Sequence, residues 1–191
     1  GSNDIAVTED APIKCSSPYA VSKAAADLHL MTLKDERITI IRPSNCYCPG
    51  QALYRLIPRA VHACITGQKM PLQGNPSKSY LHAEDLSHAI EMLIKKPQAG
   101  IFNVGADVPN SLRSIIEEVA LQFGKTTADI VEEKPMRANE DDCFWINSAK
   151  MKALGWTPTI DLRTGVSEMV AWGRKYKEQI INMRTDYEFR P

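Results

Sequence analysis

The chain has 191 residues, 43% of them hydrophobic, which suits one ordinary globular domain with a core. Its 23 lysines and arginines balance its 23 aspartates and glutamates, so no net field draws it onto nucleic acid or an anionic membrane surface. Charges interrupt every apolar stretch well short of the roughly 20 residues of a membrane span, and Asp4, Glu9 and Asp10 stand where a signal peptide needs an apolar run; the expected location is cytoplasmic.

Residues 1 to 17 are polar, carry Pro12 and read as a surface loop. A helix is predicted next, with Ser17 as N-cap, Pro18 as its first residue, and Ala24, Ala25, Leu28, Leu30 and Met31 as apolar surface through about Leu33. Ile38 to Pro43 is a β-branched run closed by proline, the pattern of a buried strand. A second helix is predicted from about Leu53 to Ile65, stopped by Gly67.

After the turn at Gly74-Asn75-Pro76, SYLH leads into a helix that Asp85 could cap, with an inner stripe of Leu86, Ala89, Ile90, Leu93 and Ile94. Ile101 to Val104 reads as a strand ended by Gly105. Asn110 or Ser111 caps a periodic helix through Phe123, with Gly124 at its C-cap. A strand is expected around Asp129 to Val131, then a charged loop and a short helix ending at Leu154-Gly155. The final long helix starts near Asp161, with Leu162, Val166, Met169, Val170, Trp172 and Tyr176 facing inward. Alternating helices and short strands indicate an α/β or α+β domain with too few strands for a complete doubly wound sheet.

Five cysteines, Cys15, Cys46, Cys48, Cys64 and Cys143, make an odd set in which only Cys46 and Cys48 are close. A lone C-x-C is a poor zinc signal, so reduced thiols and no metal are expected. His29, His62, His82 and His88 lie in segments readable as helix or strand and are assigned structural roles.

In SPYAVSK, Tyr19 and Lys23 stand four positions apart on the first predicted helix, on one face and about one turn from each other. A free phenol ionises only near pH about 10, and an ammonium beside it favours the phenolate. Such a pair can exchange a proton with a sugar or alcohol hydroxyl while a hydride moves to or from a nicotinamide. Y-x-x-x-K alone also occurs by chance among ordinary helix-surface residues.

Further motifs accompany it in order: TEDAP, SPYAVSKAAAD, IRPSNCYCPG, LIPRAV, KSYLHAEDLSHAI, FNVG and LGWTP. Together, over residues 5 to 180, they resemble the extended short-chain dehydrogenase/reductase family of NAD-dependent sugar-nucleotide epimerases and dehydratases. The resemblance implies an α/β fold: the carboxyl-terminal part of a Rossmann-like enzyme with its smaller α/β substrate-binding domain. Residues 1–50 would be a remnant of the dinucleotide-binding domain. Residues 51–191 would be mainly substrate-binding domain, with some segments returning to the Rossmann part.

It further implies that Tyr19 is the acid/base, while Lys23 holds the nicotinamide ribose and tunes the tyrosine. Asn45 would contact the substrate, and the helix start at Leu56-Ile57-Pro58 would lie beside the nucleotide. Lys78 stands where the family places an arginine on the diphosphate; it gives charge without the bidentate fork. Counting back from Asn147 makes Arg137 the second phosphate ligand and Glu140 a candidate for the nucleotide ribose hydroxyls. Without the resemblance, Asn45 is a turn residue after a strand, and Arg137 and Glu140 are loop charges.

Cys48 replaces a family glycine, and Asn147 an acidic residue. No G-x-G-x-x-G or G-x-x-G-x-x-G occurs in the chain, and Tyr19 lies too near residue 1 for the family's upstream catalytic Ser or Thr. The first nucleotide-binding half is therefore expected to be absent. NAD or NADP would serve the parent protein without binding tightly to this chain. LIPRAV leans toward the dehydratases, and the register of RANE fits the epimerases equally well. The expected partners are a nucleotide-diphosphate sugar and a second copy of the chain, docked through the Tyr/Lys helix. The rival expectation is a non-catalytic module that only dimerises or binds the sugar nucleotide.

Overall fold

A computed structural model describes residues 5–106, 108–136 and 142–187. Helix α1 runs Pro18–Thr32, capped by the Ser17 side chain with proline in its first turn. Strands β1 (Thr39–Pro43) and β2 (Asn45–Tyr47) lead into α2 (Leu56–Thr66), which ends at left-handed Gly67 with φ of 76°. Then come β3 (Met70–Gln73), β4 (Ser77–Lys78), β5 (Tyr80–His82), α3 (Ala83–Lys95), β6 (Gly100–Val104) and β7 (Asn110–Ser111). The remainder is α4 (Leu112–Gln122), α5 (Thr127–Ile130), β8 (Val131–Lys134), β9 (Cys143–Phe144), α6 (Ala149–Ala153), α7 (Leu162–Lys175) and α8 (Lys177–Ile181).

The strands associate as small sheets. β1 pairs in parallel with β6, from Thr39 opposite Gly100 to Pro43 opposite Val104. β2 pairs in parallel with β5, and β3 with β8, while β4 lies between antiparallel β7 and parallel β9. Parallel pairs need crossover connections, and the one from β2 to β5 passes through α2 while the one from β1 to β6 also takes in α3.

The larger of two cores joins α2, α4 and α7 through Ile57, Val61, Ile115, Ile116, Val119, Val166, Met169 and Val170, floored by Met70, Leu72 and Val131. Two glycines let α7 approach this closely. A Cβ on Gly165 would strike the Tyr47 hydroxyl, and one on Gly173 would strike Val61 Cγ1. The second core gathers Leu81, Ala89, Leu93, Phe102, Val104, Met151 and Trp156, so α3, β6 and α6 pack together beside β1.

Several elements differ from the sequence reading. His82, not Asp85, caps α3, its ring nitrogen Nδ1 accepting from the Glu84 amide at 3.4 Å. Asp85 is fully buried and accepts from the Thr159 amide and hydroxyl and from the Ile160 amide, at 2.9, 2.8 and 3.1 Å. It staples the chain before α7 onto α3. Ile90 and Ile94 are 39% and 71% exposed rather than inward. The expected strand at Asp129 is helix α5, because Thr126 and Asp129 form a reciprocal capping box, and the strand begins only at Val131.

Candidate functional site

Tyr19 lies in the first turn of α1 and is 71% exposed. The Lys23 ammonium sits 5.7 Å from its ring centroid, so the two do share a face. The helix start is firm: Ser17 Oγ accepts from the Ala20 amide at 3.1 Å, and Ser22 Oγ donates to the Tyr19 carbonyl at 2.8 Å. Only Ala24 of α1 is buried.

Asn45 opens β2 opposite Tyr80 of β5. Its amide N–H and its Nδ2 both donate to the Ser79 carbonyl, at 3.3 and 3.4 Å. Lys78, the residue before Ser79, is half-buried at the middle of the β7-β4-β9 sheet, between Asn110 and Phe144. The structure thus brings Asn45 and Lys78 together through Ser79. Leu56, the first residue of α2, is half-buried against the larger core, so its apolar side chain already has a packing role. Arg137 and Glu140 lie outside the described residues.

The link from α1 to these strands is one that sequence reading missed. Asp27 Oδ2 accepts from Arg42 Nε at 2.7 Å, joining α1 to β1 three residues before Asn45. Spacing gives no signal for a contact between residues fifteen apart on different elements. Ser44 Oγ, Tyr47 Oη and Ser79 Oγ are buried without hydrogen-bond partners among the described residues, and the Tyr47 phenol is pushed well up by burial, then by Glu168, Asp161 and Asp85. Tyr47 meets His82 edge-on at 5.3 Å between centroids. His82 Nε2 lies 3.4 Å from Glu168 Oε2, which together with its cap to α3 gives this histidine a structural position.

Burial raises the Cys46 thiol, with Cys48 adding to the effect, and burial pushes Cys64 up to about 11. Among the described residues no three His, Cys, Asp or Glu side chains are placed to hold a metal ion, and no helix is long and apolar enough to cross a membrane. A cavity of about 440 Å³ opens between His62 and the 181–187 segment, and no candidate residue lines it. The Tyr19/Lys23 pair thus lies on α1, and Asn45 and Lys78 lie on β2 and β4.

Curated relatives and solved structures resemble this chain in sequence and fold. Dehydratase from Streptomyces griseus acting as "dTDP-glucose 4,6-dehydratase" is 31% identical over 179 residues, 89% of this chain and 54% of its own. The crystal structure of dTDP-glucose 4,6-dehydratase from Bacillus anthracis in complex with NAD superposes with a TM-score of 0.84 at 30% identity, covering 93% of this chain and 59% of that one. The Streptomyces venezuelae dTDP-glucose 4,6-dehydratase DesIV, with NAD and TYD bound, gives 0.85 at 26% identity, over 94% and 58%. The chain spans about half the length of the curated relatives it matches, and its α/β Rossmann-like fold is that of their carboxyl-terminal portion. Residues 1–169 match the GDP-mannose 4,6 dehydratase family, and the chain belongs to it, within the extended short-chain dehydrogenase/reductases that comprise the NAD-dependent sugar-nucleotide epimerases and dehydratases.

Proposed function

We propose that the whole protein is an NAD(P)-dependent nucleotide-sugar 4,6-dehydratase or epimerase of the cytoplasm, acting by hydride transfer at sugar C4, and that residues 1–191 alone are inactive. The observation that carries this reading is the Lys23 ammonium 5.7 Å from the centroid of an exposed Tyr19 ring, in a chain of this family.

These residues fit one end of a dinucleotide. Lys23 offers an ammonium for ribose hydroxyls beside the open Tyr19 ring, whereas the chain has no glycine-rich turn to cradle a pyrophosphate. When bound, NAD(P) supplies the hydride acceptor and donor. Tyr19 takes the proton from the C4 hydroxyl as the alcohol is oxidised, and Lys23 stabilises the negative charge of the phenolate. Asn45 orients the sugar from the end of β2, and Lys78 offsets diphosphate charge from β4. Leu56 lies at the nucleotide end, with Arg137 and Glu140 as further phosphate and ribose ligands. Residues 1–50 belong with the dinucleotide-binding domain and 51–191 mainly with the substrate domain.

Titration of the 191-residue chain with NAD, followed by calorimetry, tests the inactive-fragment claim: no saturable heat is expected, and tight stoichiometric binding would overturn it. Product analysis of the whole protein on dTDP-glucose and UDP-glucose separates a 4-keto-6-deoxy product from a C4 epimer. A second reading, a non-catalytic module that dimerises or binds the sugar nucleotide, draws on the exposed Val21, Leu28 and Met31 of α1, an apolar face suited to a homodimer. Absence of turnover by the whole protein, with dimerisation retained, would favour it.

A further inference from the structure

The residues of α1 that are not exposed are Ala20, Ala24, Asp27 and Leu30. At spacings of four, three and three they form a single stripe, the side on which the helix is seated. Tyr19 and Lys23 each precede a stripe residue, so both project from the flank of the seat. Any roll of α1 about its axis turns the pair bodily. Two alanines and one leucine offer a smooth seat that resists such a roll weakly.

Asp27 is the polar member of the stripe, and its partner is firmly held. Arg42 Nε donates to Asp27 Oδ2 at 2.7 Å, with both side chains 24% exposed. Arg42 Nη1 donates to the Glu9 carbonyl at 3.1 Å. The Glu9 carboxylate accepts from the Asn103 amide at 2.9 Å, and Asn103 stands opposite Arg42 in the β1–β6 register. Asn103 Nδ2 also donates to the Val7 carbonyl at 3.0 Å, so the 5–11 segment is tied down at both Val7 and Glu9. Helix, strand, amino-terminal segment and neighbouring strand thus close a ring of hydrogen bonds around one guanidinium. The same strand carries the chain on through Pro43 and Ser44 to Asn45.

We propose that Asp27 and Arg42 are positioning residues for the Tyr19/Lys23 pair, a clamp that fixes the roll of α1 on β1 and thereby its alignment with the sugar held at Asn45. The proposal rests on the catalytic reading of the pair given above. A guanidinium suits the place because it donates to a carboxylate and to a carbonyl in different directions at once, which a lysine ammonium on a flexible stem does less rigidly.

Two readouts test it. In the 191-residue chain, Asp27→Asn and Arg42→Gln should each speed amide exchange along α1 by about 10-fold or more while β1 and β6 stay protected. In the whole protein, each should lower kcat about 100-fold, as expected for misplacing a catalytic group by about 1 Å. KM for the sugar nucleotide should stay within about two-fold. The double variant should be no worse than either single, and Asp27→Glu should recover most of kcat. Unchanged exchange in α1 overturns the clamp, and so does a loss of kcat and KM together that tracks a fall in Tm and that Asp27→Glu fails to rescue. If the wild-type whole protein turns over no nucleotide sugar, the catalytic reading fails instead, and the exchange measurement still decides whether the clamp holds α1.

Discussion

Two helices of nearly equal length, α1 with 15 residues and α7 with 14, are seated in opposite ways. α7 buries Gly165, Val166, Met169, Val170 and Gly173 against α2 and α4, with glycines admitting Tyr47 and Val61 to its backbone. α1 buries Ala24 alone and leaves Tyr19, Val21, Leu28 and Met31 about half exposed or more. The sequences explain the contrast. Apolar residues of α7 recur at helical spacing between charges, whereas those of α1 extend beyond its seated stripe to Val21, Leu28 and Met31, which stay exposed. Strands β2, β3 and β8 therefore contribute to the core built around α2, α4 and α7, and the helix bearing the proposed acid/base rests on an ion pair and a few apolar side chains.

The largest effect that would break this contrast is at Met169, which is fully buried between α2 and α4. Met169→Ala should cost about 2–5 kcal/mol through lost burial and a residual cavity, read as a lower urea midpoint at unchanged m. A loss under about 1 kcal/mol would mean that the α2/α4/α7 core relaxes freely, and the contrast with α1 would dissolve.

A smaller effect concerns the sealing of that core on its α2 side. His62 is 4% exposed, its Nε2 has no hydrogen-bond partner among the described residues, and burial is the main cause holding its pKa below the ordinary value. The Ile181 carbonyl acts the other way, and Arg59 adds to the lowering. For a histidine with a depressed folded pKa, the unfolded chain takes up the proton first. Stability is full above the unfolded value of about 6.5 and falls as pH drops from there through the folded value. Comparing urea midpoints of wild type and His62→Gln at about pH 7.5 and about pH 5.5 should show the wild type losing more on acidification. Equal losses would mean that the 181–187 segment leaves His62 open to water.

Much of the local structure was legible in the sequence because its causes are local. Ser17-Pro18 announces α1, Gly67 ends α2 in the left-handed conformation, and Asp161 caps α7 through the Thr164 amide. Asp85 was misread because its carboxylate is bound by Thr159 and Ile160, 74 and 75 residues away, and a capping reading looks only to near neighbours. The strand near Asp129 was misplaced because a capping box outweighed the β-branched residues that follow. At the site, the proximity of Tyr19 and Lys23 follows from helical spacing, and the neighbourhood of Asn45 and Lys78 becomes visible only once β2 lies beside β5. The tie from Asp27 to Arg42 depends on how α1 is laid across β1, which no pattern in either segment encodes.

The smallest expected effect sharpens the comparison from the α1 side. Leu28 is 53% exposed, so Leu28→Asp removes little buried surface and should change the stability of an isolated protomer by no more than about 0.5 kcal/mol. The same substitution places a charge on the apolar face through which the homodimer is proposed to form, and an unpaired charge buried in an interface is costly. Sedimentation at a concentration where the wild type is dimeric should therefore show the variant as a monomer with an unchanged urea midpoint when both are measured dilute. A large loss of protomer stability would mean that α1 packs against the chain more than its exposure indicates. An unaltered dimer would place the interface on another surface, leaving the clamp at Asp27 and Arg42 as what holds the Tyr19/Lys23 helix in line.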